Sequence, residues 1–301
     1  MKKRILSVGE IIWDVYPEKQ VIGGAPLNFA AHAARLGAES SLLSAVGEDA
    51  LGDAALRALE NFGVGTAWVG RNARPTGQCT VSLDANGVPH YDVLRDMAYD
   101  HIRLTPQAQA DIRASRFDAL YFGTLIQRAP ESRASLRQIA ADCRPETVFC
   151  DVNLRPGCYD AESVRFCLEQ ATVLKVSMEE EPALRALGLY AVTGDTPRGI
   201  ARALAERFGQ LRTVLLTLGK DGAYGYRTEN GEDCFQPAVG ERVVSTVGAG
   251  DSFSAAFLTA HLSGEPLADC MRKAALVSGF VVAHTEAVPE YPASLYDALR
   301  K

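Results

Sequence analysis

The stretch Ser245-Thr246-Val247-Gly248-Ala249-Gly250-Asp251-Ser252-Phe253-Ser254 carries most of the information about the fold of this chain. A glycine pair precedes a carboxylate, and the apolar pattern after Phe253 predicts a helix that ends before Gly264 and Pro266. The free backbone N–H groups at a helix start bind anions, and glycine lets a phosphate approach them closely. The stretch therefore indicates phosphoryl transfer, with Asp251 placed to accept a proton from an attacking hydroxyl.

The same stretch also has simpler interpretations. Asp251 could serve only as an N-cap after a glycine turn. A dinucleotide-binding fingerprint is excluded because its third glycine is missing, and a Walker motif fails because Gly219-Lys220-Asp221 has no hydroxyl for magnesium. The block Gly250-Asp251-Ser252-Phe253-Ser254 also resembles the nucleophile block of the GDSL esterases, although neither His261 nor His284 has the Asp three residues earlier that those enzymes use. The N-cap and the esterase remain alternatives on this evidence.

Composition favours a globular protein with small-molecule partners. The chain has 301 residues, of which 47% are hydrophobic and 23% charged, enough for one large domain with a small accessory piece. With 31 Lys and Arg against 37 Asp and Glu, the net charge is −6, so nucleic acid is not an expected partner. No signal peptide and no membrane-spanning run is expected. Seven scattered cysteines favour reduced thiols and a cytoplasmic location.

Apolar runs alternate with helical patterns along the chain, which predicts an α/β fold with a parallel sheet covered on both faces. Ligands of such sheets bind beyond the carboxyl ends of the strands, so residues that directly follow the runs are site candidates. The strand-like runs are 5–8, 41–46, 119–122, 147–152, 172–176 and 213–218, and the helical patterns include 26–36, 50–62 and 132–141.

One segment interrupts this alternation. Within 76–94, the pair Asn86-Gly87 lies between two alternating runs and predicts a β-hairpin. Together with 11–16, the hairpin is expected to form a small separate sheet that acts as a lid. Because exposed strand edges recruit partners, the same sheet could also pair with its copy, and we expect a homodimer.

Two separated blocks give the chain a family resemblance. Gly23-Gly24-Ala25-Pro26-Leu27-Asn28-Phe29-Ala30 followed by Arg35-Leu36-Gly37, and then Thr246 to Phe253, resemble the two signatures of the PfkB, or ribokinase-like, family of sugar and nucleoside kinases. Between them, Asp151 to Pro156 and Thr217 to Ala223 fall where that family has its phosphate and nucleotide contacts. The resemblance implies a three-layer α/β/α ribokinase-like fold over 1–301, with a mainly parallel sheet and a β lid built from about 11–16 and 76–94.

The resemblance is closest to the fructokinase branch, on Gly9-Glu10 with Asp14 and on the Ala98-Tyr99-Asp100 turn. It implies transfer of the γ-phosphoryl group of MgATP to a sugar hydroxyl, with D-fructose converted to fructose 6-phosphate. Other acceptors within the family are 2-keto-3-deoxygluconate, ribose and nucleosides. A catalytically silent sugar-binding protein on the same scaffold is the alternative from another class, although such a protein could lose Asp251 and this chain retains it.

The resemblance also implies residue roles. Asp251 would be the base, with the turn Gly248-Ala249-Gly250 stabilising the transferred phosphoryl group and Arg155 pairing with phosphate oxygens. The sugar would be bound by Asp14, Gly23, Gly24, Asn28 and Asn153. ATP would be bound by Lys175, Thr217, Gly219 and Gly222, with adenine against a helix at 267–284. Asp14 as a turn residue, Asn28 as a polar helix-face residue and Arg155 as a surface residue are the alternatives.

Metal binding departs from the family pattern. The family often has Asn-x-x-Glu after the strand at 173–176, and this chain has Ser177-Met178-Glu179-Glu180. Glu180 would hold Mg²⁺ through water, since this ion keeps several waters in proteins. The alternative is an acidic first turn of a helix that starts near Pro182. Some family members also bind a monovalent cation behind the anion-binding turn. We assign no such site here, because this chain has Ser245 and an unusual sequence at 285–287.

Overall fold

The computed structural model describes residues 2–83, 89–240 and 242–301. The described residues form two β-sheets and ten α-helices. In chain order the strands are β1 (Arg4–Val8), β2 (Ile12–Val15), β3 (Gln20–Gly23), β4 (Glu39–Gly47), β5 (Gly65–Asn72), β6 (Gly77–Leu83), β7 (Pro89–Val93), β8 (Ala119–Phe122), β9 (Thr147–Asp151), β10 (Val173–Ser177), β11 (Thr213–Thr217), β12 (Ala223–Arg227) and β13 (Asp233–Gln236). The helices are α1 (Ala25–Arg35), α2 (Ala50–Asn61), α3 (Pro106–Ser115), α4 (Pro130–Cys143), α5 (Ala161–Gln170), α6 (Glu181–Ala186), α7 (Pro197–Arg207), α8 (Ala249–Leu262), α9 (Leu267–Val281) and α10 (Ala293–Arg300).

The larger sheet has the strand order β13-β12-β11-β10-β9-β8-β1-β4-β5 within the described ranges. The strands from β5 across to β11 are parallel, and β12 and β13 extend the sheet antiparallel. The chain moves outward from β1 on both sides, so the strand order reverses there. In doubly wound sheets, this reversal creates a crevice at the carboxyl ends of the strands.

Helices cover both faces of this sheet, which makes the fold a three-layer α/β/α sandwich. On one face, the buried side chains of α3 to α7 pack on the sheet, with Leu136, Val164 and Leu204 fully buried. On the other face, α1, α8 and α9 pack together, and the rings of Phe29 and Tyr121 stack with centroids 3.7 Å apart. The central strands β1, β8, β9, β10 and β11 are buried on both sides and have mainly apolar sequences, as the sequence predicts, whereas the edge strands β5 and β13 are partly exposed.

The smaller sheet has the order β3-β2-β6-β7. The expected pairing of 11–16 with the segment 76–94 is present, because β2 runs parallel to β6 and β6 pairs antiparallel with β7. Sequence analysis missed β3, which pairs antiparallel with β2 and leads directly into α1. The predicted Asn86-Gly87 turn lies outside the described residues. We call this four-stranded sheet the β lid.

The strands predicted for the larger sheet, and the helices predicted at 26–36, 50–62 and 132–141, lie within one or two residues of those in the structure. The helix expected at 267–284 ends at Val281. Sequence analysis gave no strands for β5, β12 or β13. In the part of the chain that the structure describes, no helix combines the length and the apolarity needed to span a bilayer.

Candidate active site

The glycine-rich stretch forms the first turn of α8. Its N-cap is Gly248, with φ of 79°, and a Cβ there would lie 2.6 Å from the Ala287 carbonyl oxygen, so only glycine fits. The Ala249 N–H donates to Thr246 O at 3.3 Å. Among the described residues, the N–H groups of Gly250 and Asp251 have no protein acceptor, so they are available to an anion. We call residues 248–251 the anion turn.

Asp251 is not the N-cap of this helix, so that alternative is wrong. The side chain of Asp251 points across to α1, where Asn28 Nδ2 donates to its Oδ2 at 2.8 Å. The carboxylate is 9% exposed. Burial raises the pKa of Asp251 to about 6, against the lowering effect of the Asn28 hydrogen bond and of the charges on Lys175 and Arg155. Asp251 is therefore a mostly ionised carboxylate at neutral pH that still has a substantial affinity for a proton.

A buried ion pair lies beneath the anion turn. Lys175 Nζ donates to both carboxylate oxygens of Asp151, at 2.8 and 2.7 Å, and a Cβ on Gly250 would lie 3.3 Å from that nitrogen. Burial lowers the pKa of Lys175, but the carboxylates of Asp151 and Glu180 outweigh this effect and its pKa lies above the ordinary value. Lys175 is therefore a fixed positive charge beneath the turn.

The residues predicted to bind the acceptor converge where the β lid meets α1. A Cβ on Gly23 would lie 3.7 Å from Asp14 Oδ2 and 4.0 Å from Asn28 Nδ2. Burial raises the pKa of Asp14 to about 6, and Arg155 lowers it. Gly24 takes φ of 107° at the start of α1. The structure thus brings Asp14, Gly23, Gly24 and Asn28 together beside Asp251.

Asn153 and Arg155 follow β9 at the carboxyl edge of the sheet. Asn153 has φ of 42°, in the left-handed region that non-glycine residues seldom adopt. The exposed Arg155 lowers the pKa values of Asp14, Glu10 and Asp251 through its charge, so its guanidinium lies on the acceptor side. Arg155 does not line the nucleotide-sized cavity described next.

A cavity of about 830 Å³ lies on the other side of the anion turn. Its walls include Thr217, Gly219 and Gly222, as expected, together with Ala249 and Gly250. The late helix α9 and the residue after it complete the walls with small side chains, namely Ala275, Ser278, Gly279 and Val282. Lys175 is not among the lining residues. The cavity is large enough for a nucleotide and places one end of it at the anion turn.

Glu180 is a carboxylate already held by two backbone groups. Its Oε1 accepts from Leu154 N at 2.6 Å and its Oε2 from Ser177 N at 2.9 Å. Ser177 Oγ in turn accepts from Glu180 N at 3.2 Å, so serine forms a local reciprocal cap in this motif. No cluster of three or more metal-ligating side chains occurs among the described residues. Glu180 retains free lone pairs and fits a metal ion bound mainly by water and phosphate.

The esterase alternative has no support in this arrangement. Ser252 is fully buried, and its hydroxyl donates to Ala249 O at 3.0 Å. The ring of His261 stacks on Phe257, and His284 Nδ1 contacts Phe280 O at 2.8 Å. In the described structure, neither histidine activates the serine.

Sequence analysis missed two buried carboxylates at this site. Asp151 stands in the motif at 151–156 and Glu10 in the pair Gly9-Glu10, and neither pattern by itself predicts a role for the carboxylate. Both stand at the carboxyl end of a strand, Glu10 after β1 and Asp151 as the last residue of β9. That position, in a parallel sheet, was the signal that could have identified them.

The side chain of His32 joins α1 to the segment that contains Ala287 and Tyr291, behind the anion turn. The fully buried His32 accepts a hydrogen bond at Nδ1 from the Tyr291 hydroxyl (2.6 Å) and donates from Nε2 to Ala287 O (2.9 Å). Burial lowers the pKa of His32 to about 4, so the ring is neutral. Ala287 is also the residue that packs against Gly248.

Comparisons with known proteins agree with this geometry. The pattern of the pfkB family carbohydrate kinases matches residues 4–293. A fructokinase from Klebsiella pneumoniae is 30% identical over 298 residues, covering 95% of this chain and 92% of the relative. An ATP-dependent 6-phosphofructokinase from Thermoanaerobacterium thermosaccharolyticum is 26% identical, covering 98% of this chain and 94% of the relative. The structure of a fructokinase from Xylella fastidiosa with bound ATP superposes with a TM-score of 0.84 at 21% identity, covering 99% and 98% of the two chains.

The structural likeness shows a shared ribokinase-like fold, and the family pattern extends over nearly the whole chain. On this evidence, the chain belongs to the PfkB family of carbohydrate kinases.

Proposed function

We propose that this carbohydrate kinase transfers the γ-phosphoryl group of MgATP to a hydroxyl of D-fructose, giving fructose 6-phosphate. The observation that carries the proposal is the position of Asp251. Its buried carboxylate lies at the junction of the anion turn, which lines the nucleotide-sized cavity, and the group formed by Asp14, Gly23 and Asn28. A proton acceptor at this junction is what transfer between two bound substrates requires.

In the proposed reaction, Asp251 accepts the proton of the attacking hydroxyl. A pKa of about 6 suits this step, because the group is ionised at neutral pH and still basic enough to receive a proton. Asn28 orients the carboxylate by donating to one of its oxygens and leaves the other for the sugar hydroxyl. The hydroxyl oxygen then attacks the γ-phosphorus as the bond to ADP breaks.

The anion turn would stabilise charge on the transferred group. The N–H groups of Gly250 and Asp251, which have no acceptor among the described residues, would donate to the phosphoryl oxygens, whereas the N–H group of Ala249 already donates to Thr246 O. Lys175 adds positive charge from below at the position where Gly250 has no side chain. Arg155 would pair with phosphate oxygens from the acceptor side, or with the sugar itself, since its charge acts on Asp14 and Asp251.

The nucleotide would occupy the 830 Å³ cavity, with its base between Gly219 or Gly222 and the small side chains of α9. Mg²⁺ would be held by the nucleotide phosphates and, through water, by Glu180, where it neutralises phosphate charge. Glu180 is suited to this role because its two backbone hydrogen bonds fix its orientation.

Fructose is the leading acceptor because the Klebsiella pneumoniae fructokinase is 30% identical over nearly the full length of both chains. Relatives that act on other sugars match over similar lengths. The remaining candidates are 2-keto-3-deoxygluconate, ribose, nucleosides and sugar phosphates. A catalytically silent sugar-binding protein is the alternative from another class.

An acceptor screen tests the proposal. ADP release would be measured with MgATP and each candidate in turn: fructose, other ketoses, ribose, 2-keto-3-deoxygluconate, fructose 6-phosphate and nucleosides. We expect the highest kcat/KM with fructose and phosphorylation at its 6-hydroxyl. A higher kcat/KM for another acceptor would refute fructose and leave the kinase in place. Sugar binding without turnover of any acceptor would favour the silent protein.

A further inference from the structure

The N-terminus of α1 cannot be capped by its own N-cap residue. That residue is Gly24, which has no side chain and takes φ of 107°. A Cβ at this position would come within 2.6 Å of the Glu10 carbonyl oxygen, so serine, threonine or aspartate cannot replace it. A helix start that is buried without a capping partner is costly, so the cap must come from another part of the chain.

Glu10 supplies that cap. Its Oε1 accepts a hydrogen bond from Ala25 N, the first residue of α1, at 3.2 Å. Glu10 is 5% exposed, and the preceding Gly9 packs so closely on Pro26 that a Cβ would lie 2.4 Å from its ring. The connection after β1 is therefore held against the helix start, with a carboxyl group at the positive end of the helix dipole.

The capped turn is the one that orients the proposed base. Ala25 and Asn28 lie in the same first turn of α1, and Asn28 Nδ2 donates to Asp251 Oδ2 at 2.8 Å. A loosened helix start would therefore displace the amide that holds Asp251. Glu10 is thereby connected to the reacting carboxylate through a single turn of helix.

The charged and titratable groups around Glu10 come from several elements. They are Arg155 after β9, Asp251 on α8, Tyr99 beside the β lid and Tyr121 on β8. Burial raises the pKa of Glu10 to about 7, while hydrogen bonds from its own backbone N–H and from Ala25, and the charge of Arg155, oppose this effect. Both forms of the carboxyl group keep an oxygen that can accept from Ala25.

We propose that Glu10 is a positioning residue for phosphoryl transfer, which caps α1 from outside the helix and, through Asn28, fixes the carboxylate of Asp251. This inference rests on the proposed role of Asp251 as the base. It assigns Glu10 no contact with the reacting atoms.

The test compares Glu10→Ala with Glu10→Gln. Both variants remove the same charge, but only glutamine keeps an oxygen that can accept from Ala25 N, so their difference isolates the cap. We expect kcat/KM for the acceptor to be about fivefold or more lower in Glu10→Ala than in Glu10→Gln, with the loss mainly in kcat. Equal kcat values in the two variants would overturn the proposal.

A second variant removes the same hydrogen bond from the donor side. Ala25→Pro lacks the N–H and leaves the Glu10 charge in place, and proline is well tolerated at the first position of a helix. It should reproduce the kcat loss of Glu10→Ala. Thr105→Ala is the control, because Thr105 caps α3 by accepting from Ala108 N at 3.1 Å, far from the site. It should lower the melting temperature and leave kcat unchanged.

A turnover-independent measurement separates this inference from the proposed function. The pKa of Asp251 can be followed by carbon-detected NMR in the free protein. Because the Asn28 hydrogen bond lowers that pKa, it should be higher in Glu10→Ala than in Glu10→Gln. Identical pKa values would reject the positioning role, whereas an inactive wild-type protein with the expected pKa difference would reject only the proposed kinase reaction.

Discussion

Two buried aspartates lie at the anion turn, one within it and one beneath it, and their surroundings differ sharply. Asp151, beneath the turn, accepts hydrogen bonds from Lys175, from the Ser254 hydroxyl at 3.3 Å and from the Tyr121 hydroxyl at 3.4 Å. Asp251, the last residue of the turn, has one neutral donor, Asn28. One carboxylate is paired with a cation and fully surrounded by donors, and the other is left with an oxygen free.

The difference separates a structural carboxylate from a reactive one. The carboxylate of Asp151 is fixed in position by its buried ammonium partner, Lys175. A carboxylate that is desolvated and only partly satisfied has a raised pKa, which for Asp251 is about 6. If the contrast in surroundings corresponds to a contrast in function, substitutions at Asp251 should affect catalysis and substitutions at the Asp151–Lys175 pair should affect stability.

The largest expected effect is the loss of activity in Asp251→Asn. Asparagine keeps the size of the side chain and can still pair with Asn28, but it cannot accept the proton. We expect kcat to fall by about 10²- to 10⁴-fold with little change in sugar affinity. Steady-state kinetics and direct binding measure the two quantities.

Ser252→Ala is the matched control for this variant. Ser252 is the next residue along α8, and its hydroxyl bonds only within the helix. It should keep most of the kinase activity. Near-normal kcat in Asp251→Asn would remove Asp251 from the mechanism.

The second effect concerns stability. Lys175→Met leaves the Asp151 carboxylate buried without its cation, and breaking one partner of a buried pair costs about 3–5 kcal/mol of unfolding free energy. The double variant Lys175→Met with Asp151→Asn carries no buried charge here and should recover part of the loss. Denaturant unfolding measures both. A loss below about 1 kcal/mol in the single variant would show that the pair is not the structural element described here.

The third effect is a gain of stability in Asp251→Asn, whereas Lys175→Met loses stability. The pKa of Asp251 in the folded protein, about 6, exceeds its ordinary value of 3.8, so the folded state binds the proton more tightly. Stability therefore falls as pH rises from about 4 to 6 and stays lower above that window. Asp251→Asn should be more stable than wild type by about 1–3 kcal/mol at pH 8, and the gain should vanish near pH 4.

Unfolding by denaturant at both pH values tests this expectation. Asp111→Asn, at an exposed position on α3, is the control for the removal of a carboxylate that is not buried. If the gain of Asp251→Asn does not depend on pH, folding does not raise the pKa of Asp251.

The smallest effect is expected in the β lid, which we propose closes over the acceptor. Replacing residues 79–93 by a short glycine linker should raise the sugar KM by about tenfold and raise ATP hydrolysis relative to sugar phosphorylation, since water enters the site. Kinetics with and without sugar measure both changes. An unchanged KM and hydrolysis ratio in a folded variant would reject the lid function.

The same deletion tests the proposed homodimer. In the described part of the β lid, β3 and β7 are edge strands, which can pair with another chain. If the dimer forms through the β7 edge, which the deletion removes, the solution mass of the variant should be that of a monomer. A retained dimer would place the interface elsewhere.

Local signals in the sequence were sufficient for much of the fold. Continuous apolar runs identified β1, β8 and β11, and helix ends such as Gly37 followed known cap chemistry. Short strands such as β3 and β13 are not predicted, because they are partly exposed and therefore lack a continuous apolar run. Each has only four residues, which is too few to show a clear alternation of apolar and polar side chains.

The candidate site was harder to predict for a different reason. Asn28 and Asp251 are 223 residues apart, and Ser254 and Asp151 are 103 residues apart, so no local pattern connects either pair. The resemblance supplied the first pair as separate residues, but not their hydrogen bond. The capping contact of Glu10 to Ala25 was also unpredictable, because a cap from another element depends on packing rather than on sequence spacing.

Helix α1 is joined to the C-terminal third of the chain through Asn28 and His32. His32 reaches Tyr291 across 259 residues of sequence, and Asn28 reaches Asp251 across 223. During synthesis on the ribosome, α1 emerges first and must wait until these partners have been translated. At about 5–20 residues per second, that wait is roughly 10 to 50 seconds.

In that interval, the apolar face of α1 has no α8 to pack against, and the proposed base does not yet exist. A nascent chain that lacks α8 is therefore without its proposed base, and the side chains of Phe29 and Ala33 that pack with α8 in the folded protein have no such partner until α8 has been translated. The hydrogen bond that orients the proposed base can form only after α8 has been translated, because it joins Asn28 of α1 to Asp251 of α8.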